Sequence, residues 1–367
     1  MLIFSISITD CEYVQKLQSN KLWYLCFKKG MVIYMKITRV AVDAMGGDNA
    51  PVEIVKGVVK AIQDKDNIKV LLVGKEDTIK EELSKYQYDK ERLDIIHADD
   101  VISNDESPVM AIRRKKDSSI VVALNLIKNN KADAFVSAGS SGAVLIGGLF
   151  IVGRIKGVER APLAPLIPTL NGPSLLIDCG ANVDARASHL VQFAKMGSVY
   201  MKEVAGIENP RVAIVNIGTE KEKGNALVKE TYPLLEECKD INFVGSIESR
   251  NIPYGEADVL VCEAFVGNVI LKLYEGVGLA MMKILKEGLM STIKSKIGAL
   301  LTKDALKESL MILDTSEHGG APLLGLNGLV IKTHGNSTYK EIRNAIIQCI
   351  TFSEHNINEK VQEIINN

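Results

Sequence analysis

Residues 68–73, Ile-Lys-Val-Leu-Leu-Val, form a nearly continuous apolar run that stops at Gly74. A strand with one wet face alternates apolar and polar residues, whereas a run like this is buried on both faces, as in a parallel sheet covered by helices. The flanks agree. Residues 52–64 place Ile54, Val55, Val58, Val59 and Ile62 at helical spacing, and 37–44 read as another short buried strand. The alternation continues, with strands expected over 93–98, 132–137, 174–177, 211–217, 241–244, 258–262 and 329–333. Helices are expected over 76–85, 107–116, 118–129, 141–155, 184–204, 225–238 and 337–366. Residues 161–168 read as a proline-marked extended segment, and about 268–313 as helical and strand-free. No internal repeat is visible. The fold class is α/β: a three-layer α/β/α arrangement on a mostly parallel sheet, with a protruding helical hairpin at about 270–313. A chain of 367 residues has room for two domains or one large sheet. We expect 35–367 to make one α/β/α domain.

Residues 1–34 read differently. The opening MLIFSISI is apolar but short, lacks a preceding basic segment, and runs straight into Asp10, Cys11 and Glu12. Met31 and Met35 both precede the first buried strand. Residues 1–34 are therefore expected to lie outside the fold, as an upstream extension or a loosely attached arm; the rival reading is an amphipathic anchor.

Ligands of open α/β sheets sit at the carboxyl ends of the strands. Here those ends carry small, polar, glycine-rich turns. After the first strand come Asp43, Gly46, Gly47 and Asp48, followed by Asn49 and Pro51 where a helix start is expected. Adjacent glycines let a backbone approach a ligand closely. Ser137, Gly139, Ser140, Ser141 and Gly142 form a second turn, and Asp178 to Asn182 a third. Asn216, Gly218, Thr219 and Glu220, with Lys223 close behind, form a fourth; Glu263, Gly267 and Asn268 form a fifth. Lys332 closes the last strand, and His334 and Asn336 follow it. On one edge of one sheet these turns would surround a shared crevice with N–H groups and hydroxyls suited to an anion. Ser137 to Gly142 reads as the better anion nest, while Asp43 and Asp48 would orient neighbouring donors.

Several chemistries are disfavoured. No turn spells the G-x-x-x-x-G-K-[ST] phosphate loop, no G-x-G-x-x-G follows a strand, and G-x-S-x-G is absent. The six cysteines include no CxxC pair, and none stands beside a histidine, so neither a zinc site nor a covalent thiol is expected. Cys179, at a strand end, reads as packing. Among the five histidines, His334 alone falls on a promising turn. The acids at the strand ends lack local ligand spacing, so we expect no metal and no cofactor. Lys+Arg 44 against Asp+Glu 45 leaves a net charge of −1, which gives no general attraction for nucleic acid. What remains is attack by bound inorganic phosphate on an activated acyl group, catalysed by positioning and by donors aimed at the developing oxyanion. Lys223, His334 and Lys332 are candidates to hold phosphate charge. Competing readings are a phosphotransacetylase-like enzyme using acyl-CoA, an NAD-dependent dehydrogenase on the same fold, and a non-catalytic membrane scaffold.

Two stretches bear on partners. Arg113, Arg114, Lys115 and Lys116 form a compact cationic run, either a solvated helix face or a landing patch for an acidic protein. Over 283–310, Leu285, Leu289, Ile293, Ile297 and Leu301 step by four, with Leu300 broadening the stripe and lysines between. Such a basic amphipathic segment can rest in a membrane interface, or pack on a core or a second subunit. Gly288 and Gly298 suggest a bend or hairpin.

The blocks MKITRVAVDAMGGDNAP, RRKKDSSIV, SAGSSGAVL, GLFIVGRI, LIDCGANVDA, HLVQFAKMGSVY, NPRVAIVNIGTE, GNVILKLYEG and VIKTHGNS, in this order, resemble the phosphate acyltransferases of bacterial phospholipid synthesis, the PlsX family. The resemblance runs from Met35 to about the C-terminus. It implies transfer of an acyl group from acyl carrier protein to inorganic phosphate, giving acyl phosphate for glycerol-3-phosphate acylation, with no cofactor. It further implies an isocitrate/isopropylmalate dehydrogenase-like and phosphotransacetylase-like fold, a homodimer, and a cytoplasmic enzyme peripherally associated with the membrane. By the same resemblance, Leu289, Ile293, Ile297, Leu300 and Leu301 would touch the membrane and Arg113–Lys116 the acidic carrier. Asp43, Asn216, Lys223 and His334 would serve the chemistry, and the other strand-end residues named above would bind substrate. The chain departs from its relatives at Ser140 and Ser141, where many read SAGNTGA, and at Glu263 and Ala264, where many read DGFxGN.

Overall fold

The computed structural model describes residues 36–306 and 319–366 in full, and ahead of them the backbone of four strands. These are Ser5–Ile8, Cys11–Gln18, Lys21–Lys28 and Met31–Lys36 (β1 to β4), paired in chain order as an antiparallel sheet of their own. The chain forms two compact units, Met1–Ile155 with His318–Asn358, and Lys156–Glu317 with Glu359–Asn367.

In unit 1 the strands are Thr38–Asp43 (β5), Ile68–Gly74 (β6), Leu93–His97 (β7), Ala134–Ser137 (β8), Ala321–Leu323 (β14) and Leu329–Lys332 (β15), in the order β14-β15-β8-β5-β6-β7. All pairings but β14–β15 are parallel. In unit 2 the strands are Leu166–Ile167 (β9), Ser174–Ile177 (β10), Arg211–Asn216 (β11), Asn242–Glu248 (β12) and Val259–Val261 (β13), in the order β12-β11-β13-β10-β9. Here only β9–β10 is antiparallel. The fold is thus α/β on mostly parallel sheets with flanking helices, as the apolar runs require, but the strands divide between two sheets rather than making one. The core is built as the run at β6 foretold: Val40, Val42, Val70, Leu72 and Val73 are all buried.

The two sheets follow one plan, an antiparallel edge strand beside parallel strands, five in unit 1 and four in unit 2. In unit 1 Val40 and Val42 pair with Ala134 and Val136; in unit 2 Val212 and Ile214 pair with Val259 and Val261. Aligning these pairs sets TRVAVDAMGGD (38–48) on PRVAIVNIGTE (210–220) and ADAFVSAGSSGAVLI (132–146) on ADVLVCEAFVGNVIL (257–271) without a gap. Strands followed by a hairpin thus occur twice along the chain, and each hairpin pairs with the strands of the other repeat. The expectation of no repeat is overturned. It failed because the matching blocks stand at unequal separations, with β7 and its flanking helices inserted in one half only, so no fixed period exists to find.

The same ion pair opens each half. Arg39 Nε and Nη2 donate to Asp133 at 3.1 and 2.8 Å, and Arg211 Nε and Nη2 donate to Asp258 at 3.0 and 2.8 Å. In each, the acid also accepts the arginine's own N–H, so one carboxylate ties the first residues of two neighbouring strands.

The helices depart from expectation in three places. Residues 141–155 make a short α-helix, Ser141–Gly147 (α5), that continues as a wider turn over Gly148–Val152. Its glycines do meet close neighbours, since a Cβ on Gly147 would lie 2.4 Å from a Leu124 methyl. The closing helix is two, Tyr339–Glu354 and Ile357–Asn366, separated where Asn356 takes φ 51°. The helical stretch begins early, at Ala264, and runs to Met290 (α8); Thr292 then caps Ile293–Leu301 (α9), accepting the Ser295 N–H at 3.0 Å. The hairpin therefore breaks just after Gly288, while residues 307–313 lie outside the described residues.

Burial pushes the Asp258 carboxyl up, but its bonds from Arg211 outweigh this and hold it below the usual carboxylate range. Stability from the pair is therefore present above about pH 4 and lost as pH falls through the folded-state value. We expect Asp258→Ala to cost about 1–2 kcal/mol at neutral pH, with the difference closing under acid conditions. Urea unfolding of both proteins at neutral and acid pH measures it, and an equal gap at both would contradict it.

Candidate active site

The strand-end turns fall into two sets of three, one in each unit. In unit 1 they follow the adjacent strands β15, β8 and β5; in unit 2, the adjacent strands β10, β13 and β11. The expectation of all six on one sheet edge is corrected accordingly.

In unit 1 Asp43 is wholly buried. Its Oδ2 accepts the Ser137 hydroxyl at 2.7 Å and its Oδ1 the Met45 N–H at 3.1 Å. Ser137 Oγ in turn accepts the Gly139 N–H at 3.0 Å. Burial pushes the Asp43 carboxyl up, opposed by the hydroxyls of Ser119 and Ser137 and the N–H groups of Met45 and Gly46. Gly46 lies against both groups, because a Cβ there would be 2.2 Å from Asp43 Oδ2 and 2.7 Å from Gly139 N. Gly47 takes φ 101°, which favours glycine. Next to it the Asp48 N–H donates to Gly335 O at 2.7 Å, tying the first turn to that of His334. Asn49 Nδ2 adds bonds to Asn336 O (3.0 Å) and Ser337 O (3.3 Å), a role not read from the sequence. Ser140 caps α5, its Oγ accepting the Ala143 N–H at 3.4 Å. Ser141, Asp48, His334 and Asn336 are exposed, and Gly142 half-buried. Half-buried Lys332 donates to the Ala138 carbonyl at 3.4 Å and to Thr333 O. The anticipated nest from Ser137 to Gly142 thus narrows. Ser137, Gly139 and Ser140 are engaged in holding the turn, which leaves the first N–H groups of α5, unpartnered within the helix as at any helix start.

In unit 2 Asp178 is likewise buried and held by four donors: the N–H groups of Leu163 (2.9 Å), Ala181 (3.2 Å) and Asn182 (2.8 Å), and Asn182 Nδ2 (2.8 Å). Burial pushes its carboxyl up and these bonds oppose the rise. Gly267 must be glycine, because a Cβ there would lie 1.9 Å from Asp178 O. Asn216 is buried and fully engaged. It accepts the Ile217 N–H at 2.8 Å and donates to Lys223 O at 3.1 Å and Ser246 Oγ at 3.2 Å, so it shapes the loop carrying Gly218, Thr219, Glu220 and Lys223. Lys223 Nζ meets Glu220 at 2.8 Å, both half exposed. Glu263 caps α8, accepting the Phe265 and Val266 N–H groups; at this position its carboxylate anchors a helix. Asn268 is exposed.

The remaining candidates sort by burial. Cys179 and Cys262 are buried, and burial pushes both thiols well up, which suits packing and not nucleophilic attack. His189 is structural, since its Nδ1 accepts the Arg186 N–H at 3.0 Å and Nε2 faces Glu159 at 3.1 Å. His318 lies outside the described residues. The cationic run divides: Arg113, Arg114 and Lys116 are exposed, whereas half-buried Lys115 bonds Glu106 and the Val101 carbonyl, both at 2.8 Å. On the hairpin, Ile293, Ile297, Leu300 and Leu301 are exposed, and Leu289 is half-buried.

The sequence profile of the family described as "Fatty acid synthesis protein" matches residues 38–360. A phosphate acyltransferase from Clostridium novyi is 50% identical over 327 residues, covering 89% of this chain and 98% of that protein. One from Clostridioides difficile is 48% identical over 328 residues, covering 89% and 96%. Among solved structures, a phosphotransacetylase from Streptococcus pyogenes superposes with a TM-score of 0.59 at 17% identity, over 87% of this chain and 94% of that one. A branched-chain phosphotransacylase from Enterococcus faecalis V583 gives 0.52 at 13% identity, over 86% and 99%. At these identities the structures speak for a shared α/β fold.

Burial of the thiols predicts that iodoacetamide leaves Cys179, Cys262 and Cys349 unlabelled in the folded protein and labels them after denaturation, as peptide mass spectrometry would read. Rapid labelling of native Cys179 would contradict the packing role.

Proposed function

This chain belongs to the phosphate acyltransferase family, and from that premise we propose that it transfers a fatty acyl group from acyl carrier protein to inorganic phosphate, giving an acyl phosphate for phospholipid synthesis. The supporting observation is the set of unit 1 turns, where Ser141, His334 and Asn336 are exposed after the two adjacent strands β8 and β15 and the buried polar groups beneath them hold backbone. Such a site suits catalysis by position. A phosphate oxygen attacks the thioester carbonyl, the C–S bond breaks from the tetrahedral intermediate, and the carrier's thiolate departs with the electron pair. Thiolate is a good leaving group, so donors for the oxyanion and alignment of the phosphate carry most of the work.

The acidic carrier would meet Arg113, Arg114 and Lys116, which form a compact exposed cationic patch. A glycerol-3-phosphate acyltransferase would consume the product. Exposed apolar residues on α8, among them Leu273, Val277 and Leu279, would serve a second copy in a homodimer. Ile293, Ile297, Leu300 and Leu301 on α9, interleaved with exposed Lys294 and Lys296, would rest on a membrane surface.

Incubation with long-chain acyl carrier protein and phosphate should give an acyl phosphate that hydroxylamine traps as hydroxamate. Product from acyl-CoA but not from the carrier would favour the phosphotransacetylase-like reading, and no product from either would refute both. For the membrane, Ile293→Glu with Ile297→Glu should abolish flotation with anionic liposomes while soluble turnover persists. Unchanged flotation would refute the membrane contact.

A further inference from the structure

The repeated strand plan supplies an internal control for the turns of unit 2. Ile214, Val261 and Ile177 stand level on the neighbouring strands β11, β13 and β10. Just past them come Ile217, Phe265 and Val183, which are 78, 65 and 63% exposed. The matching positions of unit 1 hold Met45, Ser140 and Ser337, the first half-buried and both serines buried. The same plan therefore closes without a large exposed apolar side chain at any of the three, and the fold does not require them in unit 2.

A single exposed apolar side chain is ordinary, but these three gather in one place. The Ala264 N–H donates to Asn182 O at 3.3 Å, joining the turn of Phe265 to that of Val183. Ile217 lies level with Ala264 when the β11–β13 register is continued. The backbone at each is fixed. Asn216 Oδ1 accepts the Ile217 N–H, Glu263 accepts the Phe265 N–H, and the Asp178 carboxylate holds Asn182, the residue before Val183.

Charge decides what such an edge can take. Its carboxylates are engaged by protein donors: Asp178 by the Leu163, Ala181 and Asn182 groups, Glu263 by the first N–H groups of α8, and Glu220 by Lys223. An anion would meet all of these acids. A hydrocarbon chain brings no charge to satisfy and gains by covering apolar surface. The turns at the carboxyl ends of parallel strands are also where such sheets bind ligands. Three side chains on turns cover far less than the about 800 Å² a side of a stable subunit interface, so a chain fits them better than a second copy of the protein.

We propose that Ile217, Phe265 and Val183 form the subsite for the hydrocarbon chain of the acyl donor and set its preference for long chains. This rests on the acyltransferase reading above.

Kinetics with palmitoyl and butyryl carrier protein tests this, together with the fluorescence of cis-parinaric acid, a long-chain fatty acid, titrated without phosphate. Val183→Ser, Ile217→Ser and Phe265→Ser combined should lower the palmitoyl-to-butyryl ratio of kcat/KM roughly tenfold or more. KM for phosphate should stay within about twofold, and parinaric acid should bind roughly tenfold more weakly. Phe265→Leu, which keeps an apolar side chain, should hold the ratio within about threefold of wild type. An equal fall for both chain lengths, or an unchanged ratio, would overturn the proposal. So would a loss of oligomer in the triple variant by light scattering, since the patch would then belong to a subunit interface. If no donor gives acyl phosphate but the triple variant alone loses parinaric acid binding, the acyltransferase reading fails and the chain subsite stands. If turnover is seen and the triple variant binds parinaric acid like wild type, the chain subsite alone fails.

Discussion

A polar side chain buried at the end of a parallel strand has to find its partners inside the protein, and the nearest donors are the N–H groups of the turn that follows. That constraint organises both halves of this molecule. Asp43 takes Met45 and, through Ser137, Gly139; Asp178 takes Leu163, Ala181 and Asn182; Asn216 takes Ile217 and returns bonds to Lys223 and Ser246. Each saturates itself by immobilising the backbone that carries the exposed residues. Preorganisation of this kind is what a reaction between a bound anion and a thioester needs, because the donors are then in place before charge develops.

The two halves share a plan and differ in what they place on it. Ile331 and Ile177 occupy matching positions in their sheets, so Lys332 in one half stands where Asp178 stands in the other. Val215 and Cys262 stand where Asp43 and Ser137 do. One half thus carries a cation and a welded pair of glycine turns at its strand ends, and the other a saturated carboxylate and a loop shaped by Asn216. In the first, Asp43 is sealed beneath glycine and Asp48 is exposed; in the second, Glu220 and Glu263 remain exposed or half exposed, and Lys223 pairs with Glu220.

Much of this was legible in the sequence, and the limits have physical causes. Apolar runs such as 68–73 betray strands because burial on both faces forbids polar residues, and the glycine turns betray strand ends because close backbone contact forbids a Cβ, as Gly46 and Gly267 confirm. Strands β9 and β14, of two and three residues, carry too little pattern to be seen. The division into two sheets was hidden because each hairpin pairs with strands distant in the chain. Which polar residues face inward was also hidden, because Asp43 and Asp48 sit five residues apart on one turn and only the fold buries the first and exposes the second. Cys179 packs rather than reacts, because burial and the charges of Cys262 and the neighbouring Asp178 carboxylate push its thiol well up.

Transfer by direct attack leaves no acyl group on the protein at any stage. Mixing the enzyme with acyl carrier protein in the absence of phosphate, then recording intact mass and free carrier, tests that claim most directly. Direct attack predicts an unchanged protein mass and no carrier released until phosphate is added. A protein heavier by one acyl group, with a matching burst of free carrier, would contradict it.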